Sequence, residues 1–187
     1  MSNVLFITGS LRADSYNTKL LEHLENYLPF EISVDYLRHD AASLPLFNEE
    51  LENIAEYRAE CEMVYQRFLN ARAFVVACPE YNGQVTAYLK NTIDWVSRLS
   101  YIDESKENPF LDKPILLCSV SKSARGGVLG IASARDLFSY VGASVIGGSI
   151  CIGNAAEKFS TGHFDPSELE IEEIHFHLSR WVVAAIK

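Results

Sequence analysis

The sequence predicts a single α/β domain built on a doubly wound parallel sheet with helices on both faces. Two observations carry that expectation. Five short apolar runs alternate with segments of three- and four-residue hydrophobic spacing, and those segments are long enough to act as crossover helices. The length, 187 residues with 48% hydrophobic side chains, suits one core of ordinary size.

Each element has its own justification. Val4–Thr8 is β-rich and ends in a turn; Leu20, Leu21, Leu24 and Leu28 then recur at helical steps, so Thr18–Leu28 reads as a helix. Ile32–Leu37 is a second short strand. From about Asn53 to Ala71, Ile54, Tyr57, Cys61, Val64, Tyr65 and Phe68 mark one face of a second helix. Ala73–Cys78 is wholly apolar, as a strand covered on both faces must be, and Pro79, lacking an N–H, ends it. A third helix is expected from about Gln84 to Arg98, followed by a long polar connection, Ser100–Lys113. Ile115–Val120 is the fourth strand, Val128–Val141 the fourth helix, and Ser144–Ile152 the fifth strand in spite of two internal glycines. Pro166–Ile186 closes the chain as a helix capped by Asp165 or Ser167, with Leu169, Ile171, Ile174, Leu178, Trp181 and Val182 on its buried side.

Charge narrows the partners. Sixteen Lys and Arg against 25 Asp and Glu leave a net of −9, a surface that repels nucleic acid and anionic lipid. No apolar run approaches the ~20 residues of a membrane span. Cys61, Cys78, Cys118 and Cys151 lie far apart with neither zinc nor dithiol spacing, and three of them sit in apolar runs, which reads as reduced, buried thiols. The expectation is a soluble cytoplasmic protein with no metal, no nucleic acid partner and no membrane insertion.

In doubly wound sheets ligands bind beyond the carboxyl ends of the strands, where the strand order reverses, so the loops after strands one, three and four are the places to look. The first runs from Thr8 to Asn17 and opens a helix: hydroxyls, an amide and a guanidinium crowd a helix N-terminus, a set suited to a phosphate. It lacks the glycine spacing of dinucleotide and triphosphate loops. The plainer reading is that Asp14 or Ser15 caps the helix and Arg12 is solvated. The third-strand loop, Pro79–Gln84, is dense in turn formers, and its amides and the Tyr81 ring suit a flat heterocycle, although an ordinary turn reads the same way. Nothing in the spacing of Glu80 and Asp94 fixes them as an acid–base pair. The fourth-strand loop, Ser119–Gly127 with Gly130 beyond it, is small and basic through Lys122 and Arg125, and lets a ligand approach the backbone. His175 and His177, two apart on a helix, point to different sides.

Taken together, Gly9-Ser10-Leu11-Arg12-x-x-Ser15-x-Asn17, Leu44-Pro45-Leu46-Phe47-Asn48, Pro79-Glu80-Tyr81-Asn82-Gly83 and Leu89-Lys90-Asn91-x-Ile93-Asp94-Trp95-x-Ser97-Arg98 resemble the NADPH-dependent FMN reductase family, over residues 4 to about 150. The resemblance implies a flavodoxin-like sheet of five strands in the order 2-1-3-4-5. It implies FMN held non-covalently, its phosphate on Ser10, Arg12, Ser15 and Asn17, with Tyr16 also at the cofactor, its ring along Pro79, Glu80, Tyr81, Asn82 and Gly83, and Ser119 and Ser121 closing the site. The implied reaction passes hydride from NADPH or NADH to a small acceptor: a quinone, free flavin, an azo compound or a metal oxyanion such as chromate. No catalytic side chain is required, because the flavin carries the chemistry. A homodimer or homotetramer is also implied, with Tyr88, Trp95 and Tyr101 as contact residues. Where many members have Pro and a Gly pair, this chain has Gly83-Gln84-Val85-Thr86-Ala87-Tyr88, a change that bears on nicotinamide preference and acceptor. Two rivals share the fold: a flavodoxin-type electron carrier serving a protein partner, and a flavin-free binding or regulatory module.

Overall fold

A computed structural model describes residues 2–39 and 43–186. Five parallel strands, β1 (Ser2–Thr8), β2 (Ile32–Leu37), β3 (Phe74–Ala77), β4 (Pro114–Val120) and β5 (Ser144–Ile152), pair in the order β2-β1-β3-β4-β5. Alternate residues of each strand enter opposite cores. Leu5, Ile7, Phe74, Val76, Ile115 and Leu117 face α2 (Ala55–Asn70), α3 (Ala87–Ile102) and α4 (Val128–Tyr140). Val4, Phe6, Val75, Leu116 and Cys118 face α1 (Tyr16–Glu25), the short α5 (Ala155–Lys158) and α6 (Glu168–Ala185). Burial on both faces is why the central strands read as unbroken apolar runs.

Helix ends follow side-chain capping more closely than hydrophobic spacing. Ser15 caps α1, accepting from the Thr18 N–H, so the helix starts two residues before the periodicity does and ends at Glu25, ahead of Pro29. Thr86 caps α3. Gln84 is excluded from that helix because it closes a hairpin with Tyr81, and the helix continues four residues past Arg98 to Ile102. Ser167, not Asp165, caps α6 in a capping box with Glu170. The sequence had given no sign of α5 or of a 3₁₀ turn at Glu49–Leu51.

The glycines of β5 have a local cause. Register slips between Ile115 opposite Val145 and Leu117 opposite Ser149, Gly147 adopts φ 55°, and a Cβ at Gly148 would stand 2.2 Å from the His177 ring. A bulge therefore lets β5 run at the sheet edge with side chains of α6 lying across it. The order reverses between β1 and β3, and the loops after those strands meet there.

Candidate cofactor site

The loop after β1 is pinned beside the loop after β3. The Gly9 N–H donates to the Ala77 carbonyl at 2.8 Å, and a Cβ on Gly9 would fall 2.9 Å from Cδ of Pro79 and 3.0 Å from that carbonyl, so only glycine fits. Thr86 Oγ1 donates to the Gly9 carbonyl at 2.6 Å, tying the same loop to the start of α3. Ser10 Oγ accepts from the Arg12 N–H and Ser15 Oγ from the Thr18 N–H, which leaves each hydroxyl proton free to donate. The other N–H groups of the first turn of α1 have no acceptor within the helix. Arg12 is exposed, reaches only the Asp14 carbonyl, at 3.3 Å, and makes no ion pair among the described residues.

The plain and the functional readings of this loop both hold in part. Ser15 is the helix cap, and the donors around it still form a cradle. Asp14, the one carboxylate in the loop, is paired with Lys19 at 2.5 Å, and that hydrogen bond holds its carboxyl below the usual range. Tyr16 packs its ring against Phe159, centroids 4.9 Å apart, so its side chain faces α5. The Asn17 amide is spent elsewhere: Nδ2 donates to the Val120 carbonyl and Oδ1 accepts from the Val120 N–H, both at 3.0 Å. Asn17 therefore clamps α1 to the end of β4, and only its main chain is left for a ligand.

Pro79–Gln84 forms a two-residue hairpin. Tyr81 and Gln84 exchange N–H and carbonyl at 3.0 Å, and Asn82 and Gly83 adopt φ 53° and 75°, the left-handed pair a type I′ turn demands. Tyr81 is 54% exposed and presents its ring at the surface. Glu80 turns away to α4, where its Oε2 accepts from the Leu129 and Gly130 N–H groups at 2.9 Å each. Glu80 and Asp94 are not brought together as an acid–base pair, since Asp94 is bound to Lys90 at 2.5 Å.

The loop after β4 differs more from expectation. Ser119 is fully buried, and its Oγ lies where a Cβ on Gly127 would come within 2.2 Å; it has no hydrogen-bond partner. It supports the floor beneath Gly127 and is not on the surface of the site. Ser121 is half-buried and shapes the loop by accepting from the Ser123 N–H at 3.1 Å. Lys122 and Arg125 are exposed.

Sequence reasoning missed three positioning residues, although the motifs contained them. Asn91 accepts from the Phe47 N–H at 2.7 Å and donates to the Pro45 carbonyl at 3.0 Å. Trp95 donates to the same carbonyl at 2.8 Å and packs edge-on against Phe47, and Arg98 pairs with Glu52. The Leu-Pro-Leu-Phe-Asn stretch and the Leu-Lys-Asn helix are thus one unit, with the helix side chains gripping the loop. Trp95 is 2% exposed, so it belongs to the core and is not a surface contact.

The residues present fit FMN at its phosphate end. The cradle offers neutral and cationic donors, its one acid is paired with a lysine, and Gly9 brings it against the turn that exposes Tyr81. The cysteines offer no competing chemistry. Burial raises every thiol, Cys61 to about 12 and Cys151 to about 11, so all four are poor nucleophiles at neutral pH. Among the described residues no group of three or more His, Cys, Asp or Glu is placed to hold a metal ion, and no helix is long and apolar enough to cross a membrane.

A five-stranded parallel sheet in this order is flavodoxin-like, with the loops after β1 and β3 meeting at its switch point. The family model for NADPH-dependent FMN reductase matches residues 2–157, and the chain belongs to that family. It is 29% identical over 143 residues to a quinone reductase of Escherichia coli K12, covering 76% of this chain and 72% of that one. It is 33% identical over 132 residues to an NAD(P)H-dependent FMN reductase of Pseudomonas aeruginosa, covering 71% and 64%. In structure it resembles FerB, a flavoenzyme NAD(P)H:(acceptor) oxidoreductase from Paracoccus denitrificans, with a TM-score of 0.81, 23% identity and coverage of 100% and 98%. The protein is an NAD(P)H-dependent, FMN-using oxidoreductase.

Proposed function

We propose that this chain reduces quinone-type acceptors at the expense of NADPH or NADH, with the FMN phosphate seated on Ser10, Arg12, Ser15 and the first-turn amides of α1, Tyr16 and Asn17 among them. The ring lies along Pro79–Gly83. The observation that carries the reading is the contact between the two loops at Gly9 and Pro79, which joins an anion cradle to a rigid, exposed turn at the switch point of the sheet. The names of the matched relatives support the acceptor class.

The chemistry FMN supplies when bound is transfer of a hydride's electron pair from nicotinamide to acceptor. The chain's residues bind and orient. Arg12 and the two serine hydroxyls hold the dianion, the hairpin amides and the Tyr81 ring define a plane, and Asn17 and Thr86 keep the loops from separating. No side chain of the site is placed as a general acid or base, and none is needed when the nicotinamide and the acceptor use the flavin in turn.

The test is steady-state oxidation of NADH and NADPH by the FMN-loaded protein across quinones, free flavin, azo dyes and chromate. Quinone-dependent turnover with either nucleotide is expected. An FMN-loaded protein that consumes neither, yet exchanges electrons with a protein partner, overturns the reading in favour of a carrier.

A homodimer, or a tetramer built from it, is part of this reading. A groove of about 650 Å³ between α3 and α4 is flanked by Tyr101 and Tyr140, 79% and 91% exposed, aromatic surface of the kind that pairing covers. Tyr88 is tied to the chain's own Arg38 carbonyl, at 2.8 Å, and contributes less. Sedimentation equilibrium is expected to give twice or four times the chain mass, and a monomer contradicts the reading. Three buried thiols and a half-buried fourth, Cys151, none of them in a disulfide, suit the cytoplasm.

A further inference from the structure

The N–H groups that open a helix need acceptors, and an N-cap side chain normally supplies one. In α4 that position is Gly127, at φ 82°, with no side chain. None can be added, because a Cβ there would lie 2.2 Å from the Oγ of fully buried Ser119. The acceptor comes instead from another loop: Glu80 Oε2 takes the Leu129 and Gly130 N–H groups at 2.9 Å each, a carboxylate at the positive end of a helix. The contact is close along its length, since a Cβ on Gly130 would meet the Cβ of Glu80 at 3.0 Å and its Cα at 3.1 Å. A second tie follows one turn on, where the Ser133 hydroxyl donates to Gln84 Oε1 at 2.8 Å. Both ends of the Pro79–Gln84 hairpin are thereby fastened to one helix.

We propose that Glu80 is a positioning residue: it fixes the flavin-facing turn by serving as the missing N-cap of α4, and its carboxylate does not itself contact the cofactor. The cap stands on the geometry alone; its effect on the cofactor rests on the FMN reading above.

The experiment measures amide hydrogen exchange at Leu129 and Gly130 in FMN-free protein, and the FMN dissociation constant, for wild type, Glu80→Ala, Glu80→Gln and Gly130→Ala. Losing charge-assisted bonds speeds exchange at both amides by about tenfold to a hundredfold in Glu80→Ala, and FMN affinity falls with it. Glu80→Gln keeps an acceptor oxygen and loses less on both measures. Gly130→Ala keeps the carboxylate group but crowds the Cβ and Cα of Glu80, shifting the turn against the helix, and weakens FMN as well. The proposal is overturned if both amides stay protected in Glu80→Ala, or if they open and FMN affinity is unchanged. It is also overturned if Glu80→Gln loses as much FMN affinity as Glu80→Ala while its amides remain protected, the mark of a direct ligand. A wild-type chain that takes up no FMN overturns the flavin reading and the positioning role with it, while the exchange comparison still decides whether Glu80 caps α4.

Discussion

At the scale of single residues, two side chains flanking the cap of α1, Arg12 three positions before Ser15 and Asn17 two after it, do different work. Arg12 is exposed with only a weak contact to a carbonyl, so its guanidinium is available to a phosphate. Arg12→Ala is expected to weaken FMN binding by about tenfold to a hundredfold, the value of ~1.5–3 kcal/mol for charged hydrogen bonds, with little change in melting temperature. Equilibrium dialysis against FMN checks this, and unchanged affinity removes Arg12 from the cradle. Asn17 gives the opposite pattern. Its two bonds to Val120 are buried, and Asn17→Ala strands both backbone groups, costing about 1–3 kcal/mol of stability in a denaturant melt. The position of Asn17 in the first loop was legible in the sequence; its partner, 103 residues away, was not, because a side chain's target depends on which strands become neighbours. The same holds for Ser119, whose place in the loop was read but whose burial under Gly127 required the fold.

At the scale of elements, most of the architecture was written in the sequence. All five strands are legible to within two residues at either end; in β3 and β4 the reason is two-sided burial, which leaves a continuous apolar signature. Helix starts are less legible than strands: the cap Ser15 stands ahead of the periodic stretch, and the cap Thr86 lies two residues inside the expected one. The paired motifs show why some functional spacing exists at all: Asn91, Trp95 and Arg98 recur at three- and four-residue steps because one face of α3 grips one loop. An acid-sensitive contact joins α1 to the segment after α5. His23 meets the Tyr27 hydroxyl at 3.1 Å and the Phe164 ring at 4.9 Å, and burial holds its pKa below the ordinary 6.5. Lys19, Glu22 and His163 also line this groove. With the folded value lowered, the unfolded chain binds more protons just below pH 6.5, so stability falls as pH drops through that window. Melting temperature is expected to fall more between about pH 7 and 5 in wild type than in His23→Gln; equal slopes contradict the assignment.

At the scale of the whole molecule, a net charge of −9 sits beside the site proposed for a phosphate dianion. The conflict is resolved locally. The acid-rich stretches, Glu49–Glu62 and Glu168–Glu173, belong to the 3₁₀ turn, α2 and α6, while the cradle is a helix N-terminus with hydroxyls, Arg12 and an acid neutralised by Lys19. Exposed charges more than about 8–10 Å away are largely screened at physiological salt, so near donors prevail. The strand order was reachable from the family resemblance but not from periodicity, which fixes elements without saying which lie side by side. What stands to be tested is that this cradle and turn hold a flavin that nicotinamide reduces and a quinone re-oxidises. The most direct measurement is an anaerobic titration of the FMN-loaded protein with NADPH or NADH, followed by a quinone. The oxidised flavin's visible absorption is expected to fall in proportion to nucleotide added and to return in proportion to quinone added. Absorption that survives an excess of both nucleotides would contradict it.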